Sequence, residues 1–263
     1  MNGIDVSQWQ GYIDFTAVKN AGIEFVYIKA SEGTEFTDPF FYRNYANAAR
    51  AGLPVGFYHY LTARSADAAR AEAAHFVAVT EGLSPAGKMV MDIEDMRGMS
   101  REEVNDAARA FLEGVEAYSN QPAAIYADAY FAERVLDADL AEYPLWIAQY
   151  NVGEPTADTP WRRPAGWQYT DMGRVAGIQG NVDRDIFGEE MQNGGASPVK
   201  RTGDRPADRP ADREMRYRVQ PGDTLYEIAE RFGTSVPVLV RMNRMKNPGL
   251  LYPGQLIKLP GQL

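Results

Sequence analysis

Asp92 and Glu94 stand two positions apart, directly after the apolar run Met89-Val90-Met91, in the stretch KMVMDIEDMRG spanning residues 88–98. On an extended chain such a pair shares one face, about 6.5–7 Å apart along the backbone. Two carboxyls that close repel when both are ionised, so at least one is expected to keep its proton toward neutrality. A protonated carboxyl beside an ionised one can protonate a departing glycosidic oxygen. The competing reading is structural, with strand-end carboxylates held in ion pairs by Lys29 or Arg97. The D-x-E spacing alone leaves both open.

The elements needed to carry such a pair are visible in the first 190 residues. Strand-like runs cover 3–6, 24–31, 53–61, 88–94, 123–127, 144–150, 166–170 and 182–186. Helical patterns intervene, most clearly over 38–51, 65–81 and 100–118, with Ser100 and Glu103 spaced as a capping box. Short apolar strands separated by helices predict parallel βαβ units. Eight candidate strands in this length suit an α/β fold, a barrel with some helices trimmed. Barrel sites gather at the C-terminal ends of strands, and polar residues recur at those ends. They are Asp5, Glu32, His59 with Tyr60, Asp92 with Glu94, Tyr126, Gln149, Gln168 and Asp183. Asp5 and Asp183, on the first and last strands, become neighbours only if the sheet closes. Aromatic residues crowd the same ends, among them Trp9, Tyr58, Tyr60, Tyr126, Trp146, Tyr150, Trp167 and Tyr169. Aromatic faces beside carboxylates suit sugar rings, while each aromatic taken singly also fits core filling.

Composition narrows the chemistry. The chain has 263 residues, no cysteine and two histidines. Disulfides and thiolate metal sites are excluded, and two histidines argue against a histidine-built zinc centre such as that of a zinc amidase. No metal and no cofactor are expected. Residues 1–191 carry 15 basic against 29 acidic side chains, residues 192–215 carry 5 against 4, and residues 216–263 carry 7 against 3. So acidic a body is a poor partner for nucleic acid. No apolar stretch approaches the roughly 20 residues of a membrane span. The opening MNGIDVSQWQG has no basic segment followed by an apolar one, so a secretory signal is not expected and synthesis in the cytosol is. Residues 192–215, with D-R-P-A repeated from Asp204 and Asp208, predict an extended linker between a unit at 1–191 and a small one at 216–263.

Several stretches in order carry a family resemblance: GIDVSQWQGYIDF (3–15), YIKASEG (27–33), VGFYHY (55–60), MDIE (91–94), IYAD (125–128), LWIAQY (145–150), GWQYTD (166–171) and NVDRDIF (181–187). Together they resemble family 25 of the glycoside hydrolases, the N-acetylmuramidases. The resemblance implies a flattened, TIM-like β/α barrel. It implies Glu94 as catalytic acid/base, Asp92 as its charged partner, and Asp5 and Asp183 as completing the acidic cluster. Tyr58, Tyr60, Tyr126, Trp146, Gln149 and Gln168 would line the groove, with Lys29 and Glu32 in support. The implied substrate is peptidoglycan, cut at the β-1,4 bond from N-acetylmuramic acid to N-acetylglucosamine. A route through the substrate's own 2-acetamido oxygen is preferred, because Asp92 shares a strand face with Glu94 and is poorly placed to attack from the opposite side. Direct attack by water, with Asp5 or Asp183 as base, stays open.

The tail, RYRVQPGDTLYEIAERFGTSVPVLVRMN through NPGLLYPGQLIKLP, reads as strand, helix 224–232, helix 236–243 and strand 255–259. It resembles a small βααβ LysM module. That likeness implies binding of N-acetylglucosamine-containing glycans by Asp223, Thr224 and Leu225 on one loop and Asn247, Pro248, Leu250 and Leu251 on the other. The expectation is a wall-degrading lysozyme of the bacteriophage endolysin kind, made in the host cytoplasm and acting on the wall after release. The rivals are a chitinase-like N-acetylglucosaminidase and a non-catalytic peptidoglycan-binding protein.

Overall fold

The computed structural model describes residues 1–95, 98–193, 215–220, 223–232, 234, 236–243, 245, 251–252 and 254–259. Strands alternate with helices through the first 193 residues. In order they are β1 (Asn2–Val6), α1 (Phe15–Asn20), β2 (Phe25–Glu32), β3 (Phe36–Thr37), α2 (Phe41–Ala51), β4 (Val55–Tyr60), α3 (Ala66–Thr80) and β5 (Met89–Asp92). Then come α4 (Arg101–Ser119), β6 (Ala123–Asp128), α5 (Ala129–Arg134), β7 (Leu145–Ala148), β8 (Gly166–Gly173) and β9 (Val182–Phe187). The sheet order is β1-β9-β8-β7-β6-β5-β4-β2-β3, and β1 also pairs with β2. That second pairing closes a ring of eight strands, with the two-residue β3 hung on β2 outside it.

The closing strand departs from the parallel expectation. β9 runs antiparallel to both β8 and β1. Only residues 174–181 join β8 to β9, and a parallel crossover needs a dozen residues or more. The short connection forces a hairpin, which brings Asp183 directly opposite Asp5 across the seam. β5 also ends two residues early, at Asp92. Glu94 therefore lies beyond the strand, and the two-residue strand repeat does not set its relation to Asp92.

Period-2 alternation decides what fills the ring. Phe25, Tyr27, Val90, Ala124, Tyr126, Trp146, Ala148 and Phe187 form one buried cluster inside it. The rings fit because glycine sits opposite them. A Cβ on Gly56 would stand 2.2 Å from the Tyr27 ring, and one on Gly3 would stand 2.2 Å from the Phe187 ring. A larger apolar cluster packs the outer strand faces against the helices, with Phe57, Phe76, Phe111 and Val115 among its fully buried members. α4 starts on the expected capping box: Ser100 Oγ accepts from the Glu103 N–H, and a Glu103 carboxylate oxygen accepts from the Ser100 N–H at 2.8 Å. It ends at Asn120 in the left-handed region.

A buried polar chain fastens α3 to the strand ends. Ser31 Oγ lies 2.8 Å from His59 Nδ1, and His59 Nε2 lies 3.0 Å from Glu72 Oε2. Glu72 also accepts from the Thr62 N–H and hydroxyl, at 2.9 and 2.7 Å. Burial pushes the Glu72 carboxyl up, but the bonds from His59 and Thr62 outweigh it and hold the group below its ordinary range. Burial holds the His59 imidazole down as well. The ring is accordingly neutral, donating through Nε2 to Glu72 and accepting at Nδ1 from Ser31. Glu72→Ala strands three donors in the interior and is expected to cost about 3 kcal/mol, read by urea denaturation.

The C-terminal segment forms β10 (Met215–Arg218), α6 (Leu225–Arg231), α7 (Val236–Asn243) and β11 (Leu256–Leu259). β10 and β11 pair antiparallel, giving the expected strand-helix-helix-strand order. Val219, Leu225, Ile228, Leu239, Val240, Ile257 and Leu259 make its own small core, and Tyr42 of α2 packs against it. Among the described residues, no helix is long and apolar enough to cross a membrane.

Candidate active site

At one end of the ring the alternating inward positions change from aromatic to acidic. Asp5, Tyr58, Asp92, Glu94, Tyr126, Trp146, Gln168 and Asp183 line one pit of about 100 Å³. Five strands, β1, β4, β6, β7 and β8, contribute a lining residue each, while β5 brings Asp92 and β9 brings Asp183. Of the twelve residues singled out from sequence for this unit, eight meet here.

The floor of the pit is wired by a single amide. Gln168 is buried, and its Oε1 accepts from the Tyr126 hydroxyl at 2.8 Å and the Tyr150 hydroxyl at 2.5 Å. Two donors on the oxygen fix which way the amide faces, so Nε2 donates to Asp5 Oδ2 at 2.8 Å. Trp146 is held in turn, its indole N–H donating to Asp185 Oδ1 at 3.0 Å. Aromatic walls and carboxyl floor are thereby locked into one network, which is what a preorganised polar site requires.

Proton affinity inside the pit is raised throughout. Burial lifts the Asp5 carboxyl well above the usual carboxylate range, and the neighbouring Asp185 and Asp183 push the same way against the Gln168 bond. Asp185 rises for the same reasons, burial first and Asp183 next. Asp183 is pushed up to about 6 by burial and by Asp171, although a bond from Asp5 favours its ionised form. Asp92 is raised well above the usual range by burial and then by Glu94, with Lys29 pulling the other way. Glu94 is open to solvent as a residue. The groups packed round its carboxyl still strip some hydration, and with Asp128 they raise its pKa. Asp92 and Glu94 repel each other when both are ionised, which raises the affinity of the pair for a proton.

These shifts have a sign for stability. Each raised carboxyl binds its proton more tightly in the folded chain than in the unfolded one, where carboxylates titrate near 4. The folded state carries the extra protons until pH passes the raised values, so stability falls as pH rises through that window. Scanning calorimetry is expected to show Tm lower at pH 7 than at pH 5, a window that spans the Asp183 value of about 6, by about 3 °C or more. Asp185→Asn should flatten that slope.

The remaining sequence-selected residues fall around the pit or away from it. Lys29 donates to Glu32 at 2.7 Å and lies 4.9 Å above the centre of the Tyr60 ring, so the three form a flanking group. Gln149 does not face the pit: its amide clasps Thr156, donating at 3.0 Å to the hydroxyl and accepting from the N–H at 2.8 Å. It braces the loop after β7, a placement that the strand-end rule does not capture because β7 stops at Ala148. Tyr150, just beyond it, supplies the pit contact instead. Asp185, which takes part in the network, follows Asp183 by two on a strand, and the same spacing that paired Asp92 with Glu94 points to it. In the C-terminal unit Asp223 accepts from the Tyr217 hydroxyl and the Gln220 N–H, both at 2.7 Å, and Thr224 caps α6 through Glu227. Leu225 is buried in the small core, and Leu251 packs against it. Asn247, Pro248 and Leu250 lie outside the described residues, as does Arg97.

Known proteins share this arrangement of chain. Residues 4–178 match the family model for glycosyl hydrolases family 25, and residues 217–260 match that of the LysM domain. The chain is 38% identical over 195 residues to the autolytic lysozyme of Clostridium acetobutylicum, covering 74% of this chain and 58% of that one. It thus spans little more than half the length of that relative. The bacterial lysozyme from Streptomyces coelicolor has a solved structure that aligns with TM-score 0.64 and 33% identity, over 71% of this chain and 91% of that chain. The solved CTP1L endolysin aligns with TM-score 0.64 and 30% identity, over 72% and 67%. A closed eight-stranded ring with carboxyls gathered at one mouth, and a match over most of its length, make the chain a member of family 25 of the glycosyl hydrolases carrying a C-terminal LysM domain.

Proposed function

We propose that the chain is a muramidase that hydrolyses the β-1,4 bond from N-acetylmuramic acid to N-acetylglucosamine in bacterial peptidoglycan. The observation that carries this is the vertical order of the pit: a solvent-reachable carboxyl, Glu94, above a buried one, Asp92, between aromatic walls. Glu94 in its acid form protonates the leaving glycosidic oxygen as the bond to the anomeric carbon breaks. The 2-acetamido oxygen of the same sugar attacks that carbon and forms a cyclic oxazolinium ion. Asp92 Oδ1, buried without a hydrogen-bond partner among the described residues, is the acceptor left for the acetamido N–H. Water then opens the ring, giving its proton to the Glu94 carboxylate and restoring the starting state. Tyr58 and Tyr126 offer ring faces to the sugars, and Asp5, Gln168 and Asp183 hold the base of the site.

The LysM unit binds N-acetylglucosamine-rich glycan through the loops before α6 and before β11, keeping the enzyme on its insoluble substrate. Tethering raises the local substrate concentration without any new catalytic contact. The likeness to the CTP1L endolysin supports a role in releasing phage progeny by host lysis. Cytoplasmic expression is then tolerated until the membrane is opened, and turbidity falls only on permeabilisation.

Borohydride labelling of the ends created in purified walls tests the bond assigned. Labelled muramitol is the expected product. Labelled glucosaminitol instead would make the enzyme an N-acetylglucosaminidase, and no new reducing end would make it a glycan-binding protein.

A further inference from the structure

The two units touch through the face on which the LysM unit is proposed to read sugar. Tyr45 and Arg50 of α2 lie across a cavity from Asp223, Thr224, Leu225 and Leu251. The space between them is about 20 Å³, room for about one water molecule and far too small for a sugar ring. Around it the contact is specific. The Tyr42 and Tyr226 rings stack with centroids 6.1 Å apart and planes 29° apart. Arg241 on α7 pairs with Glu81 just after α3 at 3.5 Å. Gly82, in the left-handed region, admits Val240 so closely that a Cβ there would meet Val240 Cγ1 at 2.4 Å. The signs match on a larger scale as well, since the catalytic unit is strongly acidic and the C-terminal unit basic.

We infer that this docked arrangement is a latch: the face of the LysM unit at Asp223, Thr224, Leu225 and Leu251 is closed against α2, and wall glycan competes with the catalytic unit for the same face. The inference rests on the LysM unit binding glycan as proposed above. Free enzyme would then hold its wall-binding unit shut, and a dense glycan surface, offering many sites at once, would displace α2 where dilute fragments do not.

The absence of cysteine makes a clean test possible in the full chain. A Cβ on Gly82 would lie 3.5 Å from Val240 Cβ, inside the range that a disulfide spans. The Gly82→Cys, Val240→Cys double variant is oxidised, then compared with its reduced form for retention on insoluble chitin. The latch predicts that the disulfide forms, that retention falls at least about tenfold when it is closed, and that dithiothreitol restores it. Cleavage of short soluble glycan should stay unchanged. Equal retention in both states overturns the latch and leaves glycan binding intact; no retention in either overturns glycan binding and the latch with it. A folded variant that does not cross-link also overturns the latch. Should cysteine at the left-handed Gly82 position prevent folding, Glu81→Arg sets two cations together at the dock. It is expected to bind chitin about fivefold more tightly, in line with the loss of one surface ion pair, and an unchanged affinity counts against the latch.

Discussion

Glu94→Gln is expected to lower the rate of wall hydrolysis by about a thousandfold while leaving Tm within a degree or two of the unmodified protein. Glutamine keeps the shape of the side chain and removes the proton that the leaving oxygen needs, and positioned acids contribute 10²–10⁴ in rate. The side chain is open to solvent at the mouth, so its replacement disturbs no packing. Chitin retention should be unaffected, because the change lies in the catalytic pit. Turbidity clearing of purified walls, with calorimetry beside it, reads both quantities. Full clearing by this variant would remove Glu94 from the mechanism. The unmodified enzyme should work best on the acid side of neutrality. The raised pKa of Glu94 extends its protonated range upward from the ordinary carboxylate value, and activity falls as pH climbs past it.

Asp92→Ala separates function from stability in the opposite sense. The carboxyl is buried, has one oxygen without a partner among the described residues, and sits where neighbouring charges oppose its ionisation. Removing it relieves a penalty that grows with pH, so the variant is expected to melt higher than the parent at pH 8. Its kcat/KM should nevertheless fall by about a hundredfold, because the acetamido group loses the acceptor that orients it. On glycan whose 2-acetamido groups have been deacetylated, parent and variant should be alike and slow. Ready cleavage of deacetylated glycan by the parent would exclude the acetamido route and favour direct attack by water. A buried group whose removal stabilises the protein and disables it is the pattern expected of a functional residue held under electrostatic strain.

Much of this site is legible in the chain because strand ends carry position with them. Asp5, Asp92, Tyr126 and Gln168 each follow an apolar run, and ring closure brings them together as the pattern implies. The capping box at Ser100 and Glu103 marks the start of α4 to the residue. The direction of β9 is not written in its hydrophobic pattern, since alternation specifies a strand and not its sense. Only the short link at 174–181 carries that information. Gln149 misleads for a related reason, because the chain turns one residue after β7 ends and its amide is taken up by Thr156. Asp185 is legible only through its two-residue spacing from Asp183, because a fully enclosed aspartate is rare and composition alone favours a surface place for it.

The reversed strand at the seam bears on when catalysis becomes available to a growing polypeptide. Asp5 emerges from the ribosome long before Asp183, yet the two are direct partners between β1 and β9. Contacts so remote in sequence form late, after shorter loops have closed. Until the hairpin of β8 and β9 swings in, the mouth lacks Gln168 and Asp183, and Asp5 has neither its amide nor its carboxyl neighbour. A nascent or truncated chain ending before the hairpin would therefore be inert, and the cell that makes the protein meets a competent hydrolase only once synthesis of that unit is complete.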